Sequence, residues 1–177
     1  MMRTQVEAPP VSVPAVTAIE LRPARMDDEQ RVRAFVEALS LKSQTLRFFA
    51  GLTRPDARLV RSMIMIDERR DVLLAVDGDQ RVVGHAMSFR RSDATEIAVV
   101  VADEWQGLGL GSRLVGTLLR RAVARGAVMV GMDVMGDNRK VLSIIKRWWP
   151  DAQVRIESGT VEILARIGRG EGPGGVV

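Results

Sequence analysis

The 177-residue sequence contains no cysteine, no tyrosine and a single histidine, His85. Without cysteine the chain has no disulfide bond and no thiol nucleophile, and one histidine leaves zinc with too few ligands. Chemistry based on a histidine triad is also disfavoured, because His85 lies among apolar residues in the middle of a predicted strand. We therefore expect no metal site, and we expect His85 to be a hydrogen-bonded structural residue.

Long apolar runs are also absent, since no stretch approaches the roughly 20 residues that cross a membrane. No continuous apolar segment follows Arg3, so no secretory signal is expected. Hydrophobic residues make up 46% and charged residues 27% of the chain, as in a soluble globular domain. We expect a cytoplasmic protein that does not bind membranes.

The chain has only a slight excess of positive charge, with 26 basic and 22 acidic residues. The basic residues are scattered, and neither a basic stripe nor an aromatic platform accompanies them. We therefore predict no nucleic-acid partner, and we interpret the charge as an arginine-rich solvated surface.

The two ends of the chain lack the periodic apolar residues that a folded core needs. Residues 1–16 include Pro9, Pro10 and Pro14, and half of residues 168–177 are glycine. We predict that both are disordered tails. Residues 17–167 are then one domain of ordinary size.

The N-terminal part of that domain predicts a strand over 17–22 followed by three helices. Asp27 and Asp28 are acidic residues typical of a helix start, Gly51 stops the second helix, and Pro55 begins the third.

Three short strands follow, at 71–77, 81–89 and 95–102, and their short connections predict an antiparallel meander. A helix ending at Gly126 leads to a strand at 127–134, which the helical crossover should place parallel to its predecessor. A helix capped by Asn138 and two last strands, at 153–157 and 160–166, complete the domain.

The stretch from Ile97 to Leu114 joins an apolar, β-branched strand to a helix through three alternate glycines, Gly107, Gly109 and Gly111. Glycine leaves the backbone bare, and amides at a helix start, with the positive end of the helix dipole, favour a phosphate. One glycine would be enough for a simple turn. Three of them favour the close approach of a ligand.

Two well-known phosphate loops do not match this spacing. A P-loop needs a lysine before Ser112, and the sequence has none. The dinucleotide pattern needs glycine at 112 or 114, where the chain has Ser112 and Leu114; only Asp133, at the end of the next strand, favours it. The predicted antiparallel meander ahead of the loop is also the wrong setting for that fold.

The run Gln106-Gly107-Leu108-Gly109-Leu110-Gly111 resembles the Q/R-x-x-G-x-G/A motif of the GCN5-related N-acetyltransferase (GNAT) family, and the element order resembles that fold throughout. The resemblance implies an α+β fold: a mixed, mostly antiparallel sheet of about seven strands with a splayed parallel pair, flanked by four to five helices. It also implies acetyl-CoA as cosubstrate. The residues implied to bind it are Val99, Val100, Val101, Gln106, Gly107, Leu108, Gly109, Leu110, Gly111, Ser112 and Asn138.

Transfer of an acetyl group to an amine needs a free lone pair, so a base near the thioester is useful. The run from Ala94 to Val101 resembles bacterial protein-lysine acetyltransferases of this family, in which a glutamate of this strand acts as base. Glu96 is therefore the predicted catalytic residue, although a surface glutamate more often meets solvent or an arginine. Glu104 is the rival carboxylate, but its place suits the electrostatics of the turn better.

Many members of the family protonate the departing thiolate with a tyrosine seven residues after the asparagine, where this chain has Ile145. Water or Ser143 would then supply the proton, or the thiolate would leave unprotonated. Trp148 and Trp149 replace the usual glycine-aromatic ending of that helix, and we expect at least one tryptophan to pack in the core.

The helical region before the meander borders the acceptor site in this family. Phe48, Phe49, Met63 and Met65 lie there, and for Phe49 and Met63 we predict ordinary core packing. The acidic residues Asp67, Glu68 and Asp71 either attract a cationic acceptor or form a solvated turn.

These features predict an acetyl-CoA-dependent N-acetyltransferase that acts on a protein lysine, as a monomer or homodimer. A small amine or an aminoglycoside is an alternative acceptor. The missing tyrosine keeps a second class open, a module that senses acyl-CoA without transferring the acyl group.

Overall fold

The computed structural model describes residues 18–52 and 54–168 of the chain. The predicted tails, 1–16 and 168–177, lie outside those residues except at Gly168, so their disorder stays a prediction. Seven strands form one sheet in the order β1-β2-β3-β4-β5-β7-β6. The strands are β1 Glu20–Pro23, β2 Arg70–Val76, β3 Val82–Arg90, β4 Thr95–Val101, β5 Met129–Met135, β6 Gln153–Glu157 and β7 Thr160–Arg166.

Between the strands of the described part of the chain lie five α-helices and two short 3-10 turns, Met26–Asp28 and Asp103–Trp105. The helices are α1 Glu29–Ala38, α2 Leu41–Phe48, α3 Ala57–Ser62, α4 Leu110–Ala124 and α5 Arg139–Trp148. The predicted fold class, a mixed and mostly antiparallel sheet of seven strands with flanking helices, is confirmed. In the described residues no helix is both long enough and apolar enough to cross a membrane.

Alternating side chains of the sheet separate the core into two layers. On one face Leu73, Ala75 and Val101 pack with α4 and α5. On the other face Val72, Leu74 and Val100 pack with α1 and α3. The expectation that at least one tryptophan of the Trp148-Trp149 pair packs in the core is confirmed, because Trp149 is buried in the α4 and α5 layer, where Trp105 is buried as well.

The end of α2 differs from its prediction. The helix ends at Phe48, and Phe49 takes a left-handed conformation with φ of 60° at its C-cap. Helices often end on a left-handed residue that lets the last carbonyls accept hydrogen bonds, and here a phenylalanine adopts it two residues before Gly51. The strained turn presents the ring outward.

The parallel pair predicted from the helical crossover is present, and it is splayed. β4 and β5 pair only through Thr95 with Val130 and Glu96 with Gly131. Beyond that point β4 stays paired with β3, and β5 stays paired with β7. The far ends of β4 and β5 therefore separate, and the sheet opens at the carboxyl end of this parallel pair.

Candidate active site

The opening between β4 and β5 continues into a cleft of about 1450 Å³. Val99, Val100 and Val101 line it from β4, and residues 131–134 line it from β5. The β4 edge from Ile97 onward has no strand beside it on this side. This leaves backbone groups for a ligand that lies along the strand, at the position predicted for Val99 to Val101.

The glycine loop stands at the open end of this gap. Gly107 and Gly109 have φ of 78° and 85°, the left-handed region in which glycine is unstrained. Gly109 is the N-cap residue of α4, so the first amides of that helix have no intrahelical acceptor. In the part of the chain that the structure describes, the amides of Gly107, Leu108 and Gly109 donate no backbone hydrogen bond.

Space above the loop is open. A Cβ added at Gly109 would meet no atom within 4 Å, and one added at Gly107 would meet only Nζ of Lys140, at 3.9 Å. Bare amides, a helix start and an ammonium group therefore face one region, which suits a diphosphate. The residues present fit the diphosphate of acetyl-CoA.

The other residues predicted to bind acetyl-CoA near this loop occupy three kinds of position. Gly111 and Ser112 line the cleft from the first turn of α4. Leu108 is exposed, whereas Leu110 is fully buried in the core, and neither side chain lines the cleft. Asn138 lines it as the N-cap of α5.

Gln106 lines the cleft, and its side-chain amide is hydrogen-bonded within the protein. Its Nε2 donates to the carbonyl of Val101 and to Oγ of Ser43, each at 3.0 Å. Ser43 belongs to α2, so this one amide joins the glycine loop, the end of β4 and α2.

Asp103 strengthens the same connection. Its carboxylate accepts hydrogen bonds from Oγ of Ser40 at 2.6 Å and Oγ of Ser43 at 2.8 Å. Burial acts to raise the pKa of Asp103, but the hydrogen bonds from Ser40 and Ser43 outweigh it and the pKa is lowered. The ionised carboxylate thus holds α2 against the loop that precedes the glycines.

Glu96, the predicted base, stands where β4 and β5 still pair, at the closed end of the gap. Its side chain is 42% exposed and lines the cleft. Oε1 lies 2.6 Å from Nε of Arg91, so the carboxylate has the arginine partner that is common for a surface glutamate. Oε2 has no hydrogen-bond partner among the described residues.

One wall of the cleft lies on the sheet face that carries α2, the helical region that the family resemblance places beside the acceptor; we call it the acceptor side. Lys42, Leu46, Arg47 and Phe49 line it from that helix and its cap, and Met87 and Phe89 line it from β3. The predicted core role of Phe49 is wrong: its left-handed cap position leaves it 46% exposed at the cleft. The core role of Met63 is confirmed by its burial.

Two predicted roles near this side are not supported. Asp71 cannot attract an acceptor, because it is buried and lies 2.6 Å from Nε of Arg121. Asp67 uses its carboxylate to accept from the amides of Arg69 and Arg70, as in a solvated turn. Ser143, one candidate for protonating the thiolate, is exposed on α5 and does not line the cleft.

His85 is confirmed as a structural residue. It is fully buried on β3, and its Nε2 lies 2.8 Å from the carbonyl oxygen of Met63. Burial, with a smaller effect from the charge of Arg47, lowers the pKa of His85 to about 3. The imidazole is therefore neutral near pH 7.

Sequence reasoning missed the cations that line the cleft, among them Arg47, Arg91 and Lys140. The motif pointed to Asn138, and Lys140 follows it by two residues on the same turn. Nothing in the sequence shows that Arg91 forms an ion pair with Glu96, or that Arg47 forms none with a carboxylate of the described residues, because both depend on packing. In the described part of the chain no cluster of three potential metal ligands occurs.

Comparison with known proteins agrees with this geometry. The family model described as "Acetyltransferase (GNAT) family" matches residues 36–147. Acetyltransferase PA5475 of Pseudomonas aeruginosa is 30% identical over 112 residues, which is 60% of this chain and 60% of that protein. The match therefore spans less than two thirds of this curated relative.

Solved structures show the same fold. The GNAT domain of S. lividans PAT is 25% identical with a TM-score of 0.76, over 84% of this chain and 90% of that one. A phosphinothricin acetyltransferase from Sinorhizobium meliloti, solved in complex with AcCoA, is 15% identical with a TM-score of 0.63, over 86% and 90%. Since the family model covers well over half of the sequence and the splayed sheet agrees with it, the chain belongs to the acetyltransferase (GNAT) family.

Proposed function

We propose that this protein is an acetyl-CoA-dependent N-acetyltransferase that acetylates a primary amine. The observation that carries the proposal is that three features share one cleft. They are the bare amides at the start of α4, the unpaired edge of β4, and Glu96 at the closed end of the gap. Bound acetyl-CoA would supply the acetyl group as an activated thioester. Family membership and the fit of the glycine loop support this cosubstrate.

Glu96 is the base in this proposal. An amine near pH 7 is an ammonium ion, and it becomes a nucleophile only when a nearby group accepts its proton. Oε2 of Glu96 accepts that proton, while Arg91 pairs with Oε1 and holds the carboxylate in place. No tyrosine is present and Ser143 lies off the cleft, so water is the proton source for the departing thiolate.

A protein lysine is the acceptor that we favour. The strand around Glu96 resembles bacterial protein-lysine acetyltransferases, and the acceptor side of the cleft is open at Phe49. Mass spectrometry of lysine peptides incubated with the protein and acetyl-CoA, beside a panel of polyamines and aminoglycosides, tests this class. Acetylation of the polyamines or aminoglycosides in preference to peptides would contradict it.

The test of the activity combines calorimetry with thiol release. Wild-type protein should bind CoA and acetyl-CoA, and an amine should accelerate CoA release. Glu96→Gln should bind the cosubstrate normally and lose about 100-fold or more in turnover, the usual contribution of a general base. Glu104→Gln is the matched control, because Glu104 is exposed and does not line the cleft.

Three outcomes would contradict the proposal. Absence of CoA binding would remove the cosubstrate. A loss of turnover in Glu104→Gln and none in Glu96→Gln would reassign the base. Tight binding of acetyl-CoA with no amine-dependent release would favour the sensing module.

A further inference from the structure

Arg47 is a cation without an anionic partner on the acceptor side of the cleft. It lies in the last turn of α2 and lines the cleft. Among residues 18–52 and 54–168, no carboxylate forms an ion pair with it and no group accepts a hydrogen bond from it. Its Nε atom is fully buried and unpaired.

Two other arginines that are not fully exposed are paired with carboxylates. Arg22 lies 2.7 Å from Asp28, and Arg121 lies 2.6 Å from Asp71. An arginine has five N–H donors, and leaving one of them unpaired away from water, here the Nε–H of Arg47, is costly. Burial accordingly lowers the pKa of Arg47 to about 10, which means that the folded protein disfavours this charge.

The contacts that Arg47 does make leave its donors unused. Its guanidinium carbon lies 4.9 Å from the centroid of the Phe48 ring, a cation–π contact with the ring face. Its place in the last turn of α2 is favourable to a positive charge. Neither interaction supplies a hydrogen-bond acceptor for an N–H group of Arg47. Its planar guanidinium group therefore remains available to bind an anion.

We propose that Arg47 binds an anionic group of the acceptor, so that the substrate class is an amine that also carries a carboxylate. This inference rests on the proposed N-acetyltransferase function. Lys42 adds a second positive charge on the same side of the cleft, whereas Glu96 is already paired with Arg91. Polycations such as aminoglycosides would meet repulsion there.

The carboxylate has two sources, a free amino acid or an acidic residue beside a lysine in a peptide. Matched acceptors separate them. L-lysine differs from cadaverine only by its α-carboxylate, and a Glu-Lys peptide differs from a Gln-Lys peptide only by one acid. A preference within the first pair points to the free amino acid, and a preference confined to the second points to the peptide.

The experiment measures kcat/KM for both pairs in wild type, Arg47→Met and Arg47→Lys. We expect wild type to prefer the carboxylate member of one pair by about 10- to 100-fold, the usual effect of a charged hydrogen bond. Arg47→Met should abolish the preference through KM, and Arg47→Lys should restore part of it. Arg58→Met is the control, because Arg58 is exposed on α3 and does not line the cleft.

A second measurement does not depend on turnover. The Nε–H signal of Arg47, assigned by its loss in Arg47→Met, is followed by ¹⁵N NMR in CoA-loaded protein titrated with L-lysine or glutarate. A saturable shift supports the inference. No shift with either probe, or equal kcat/KM within both pairs, overturns it.

The two proposals fail in different ways. Absence of CoA release with every amine counts against the transfer activity, and the NMR titration still decides the anion site. CoA release that depends on an amine but is the same in wild type and in the Arg47 variants overturns only the proposed acceptor class.

Discussion

His85 shows how a single buried group links stability to pH. The folded protein holds it neutral with a pKa of about 3, whereas an unfolded chain has a histidine pKa of roughly 6.5. Between these values the unfolded state binds a proton that the native state does not. Stability contributed by the neutral imidazole is therefore present above about pH 6.5 and is lost as the pH falls toward 3.

The prediction is a pH-dependent difference between wild type and His85→Gln. One such group changes the free energy of unfolding by up to about 1.4 kcal/mol per pH unit in this window. Urea unfolding at several values below about pH 6.5 should give a steeper decline for wild type, while glutamine can still donate to the Met63 carbonyl. Parallel declines for the two proteins would show that His85 takes up its proton in the native state.

Individual residues were predictable where their type limited their role. The unique histidine in an apolar strand was correctly expected to be structural, and so was Met63. Phe49 was not, because its left-handed cap position depends on how α2 ends. Asp71 looked like a free acid in sequence, and only the packing of α4 on β2 brings Arg121 to it.

At the scale of the elements, the glycine loop makes a prediction that has its own internal control. Gly109 stands at the start of α4 with φ of 85°, and Gly126 follows the end of this helix with φ of 87°. A Cβ added at either glycine would meet no atom within 4 Å. Alanine at either position should cost about 1–2 kcal/mol, because side chains disfavour the left-handed region. Only Gly109→Ala should weaken CoA binding, by about tenfold or more, equal to ~1.4 kcal/mol.

Calorimetric titration and thermal unfolding of both variants check this. Gly126→Ala should melt earlier than wild type and bind CoA with wild-type affinity. Equal loss of affinity in both variants would mean that the effect comes from destabilising α4, and unchanged affinity in Gly109→Ala would place the diphosphate elsewhere.

The elements themselves followed from local signals. Residues 153–157 and 160–166 form strands with the predicted bounds, because Ser158 and Gly159 both take the positive φ of a tight hairpin turn. The predicted helix cap at Asn138 is confirmed as well, since its side chain accepts a hydrogen bond from the amide of Val141. The hydrogen bonds that join Asp103 and Gln106 to α2 were not, since they link residues about 60 positions apart.

At the scale of the whole molecule, the order of strands and crossovers was enough to predict the sheet and its one parallel pair. Short connections force antiparallel neighbours, and the helical crossover through α4 forces the parallel one. The splay was implied only by the family resemblance. Its extent depends on where the β4 and β5 pairing stops, at Glu96 and Gly131, and no local signal fixes that point.

The splay divides the sheet into a half formed by β1 to β4 and a half formed by β5 to β7, joined by two residue pairs of one ladder. A ligand that lies in the gap contacts both halves and stabilises the folded protein by mass action. At 100 times its dissociation constant, CoA should add about 2.7 kcal/mol and raise the melting temperature by roughly 5 to 10 °C.

Hydrogen exchange locates that stabilisation. CoA should slow exchange at the unpaired edge of β4, residues 97–101, and in the glycine loop, because the ligand covers amides that no strand protects. β2 is the reference, since it is paired on both sides and its exchange should change only with global stability. Protection that rises equally in β2 and β4 would indicate global stabilisation without occupation of the gap, and protection confined to β6 and β7 would place CoA on the other edge of the sheet.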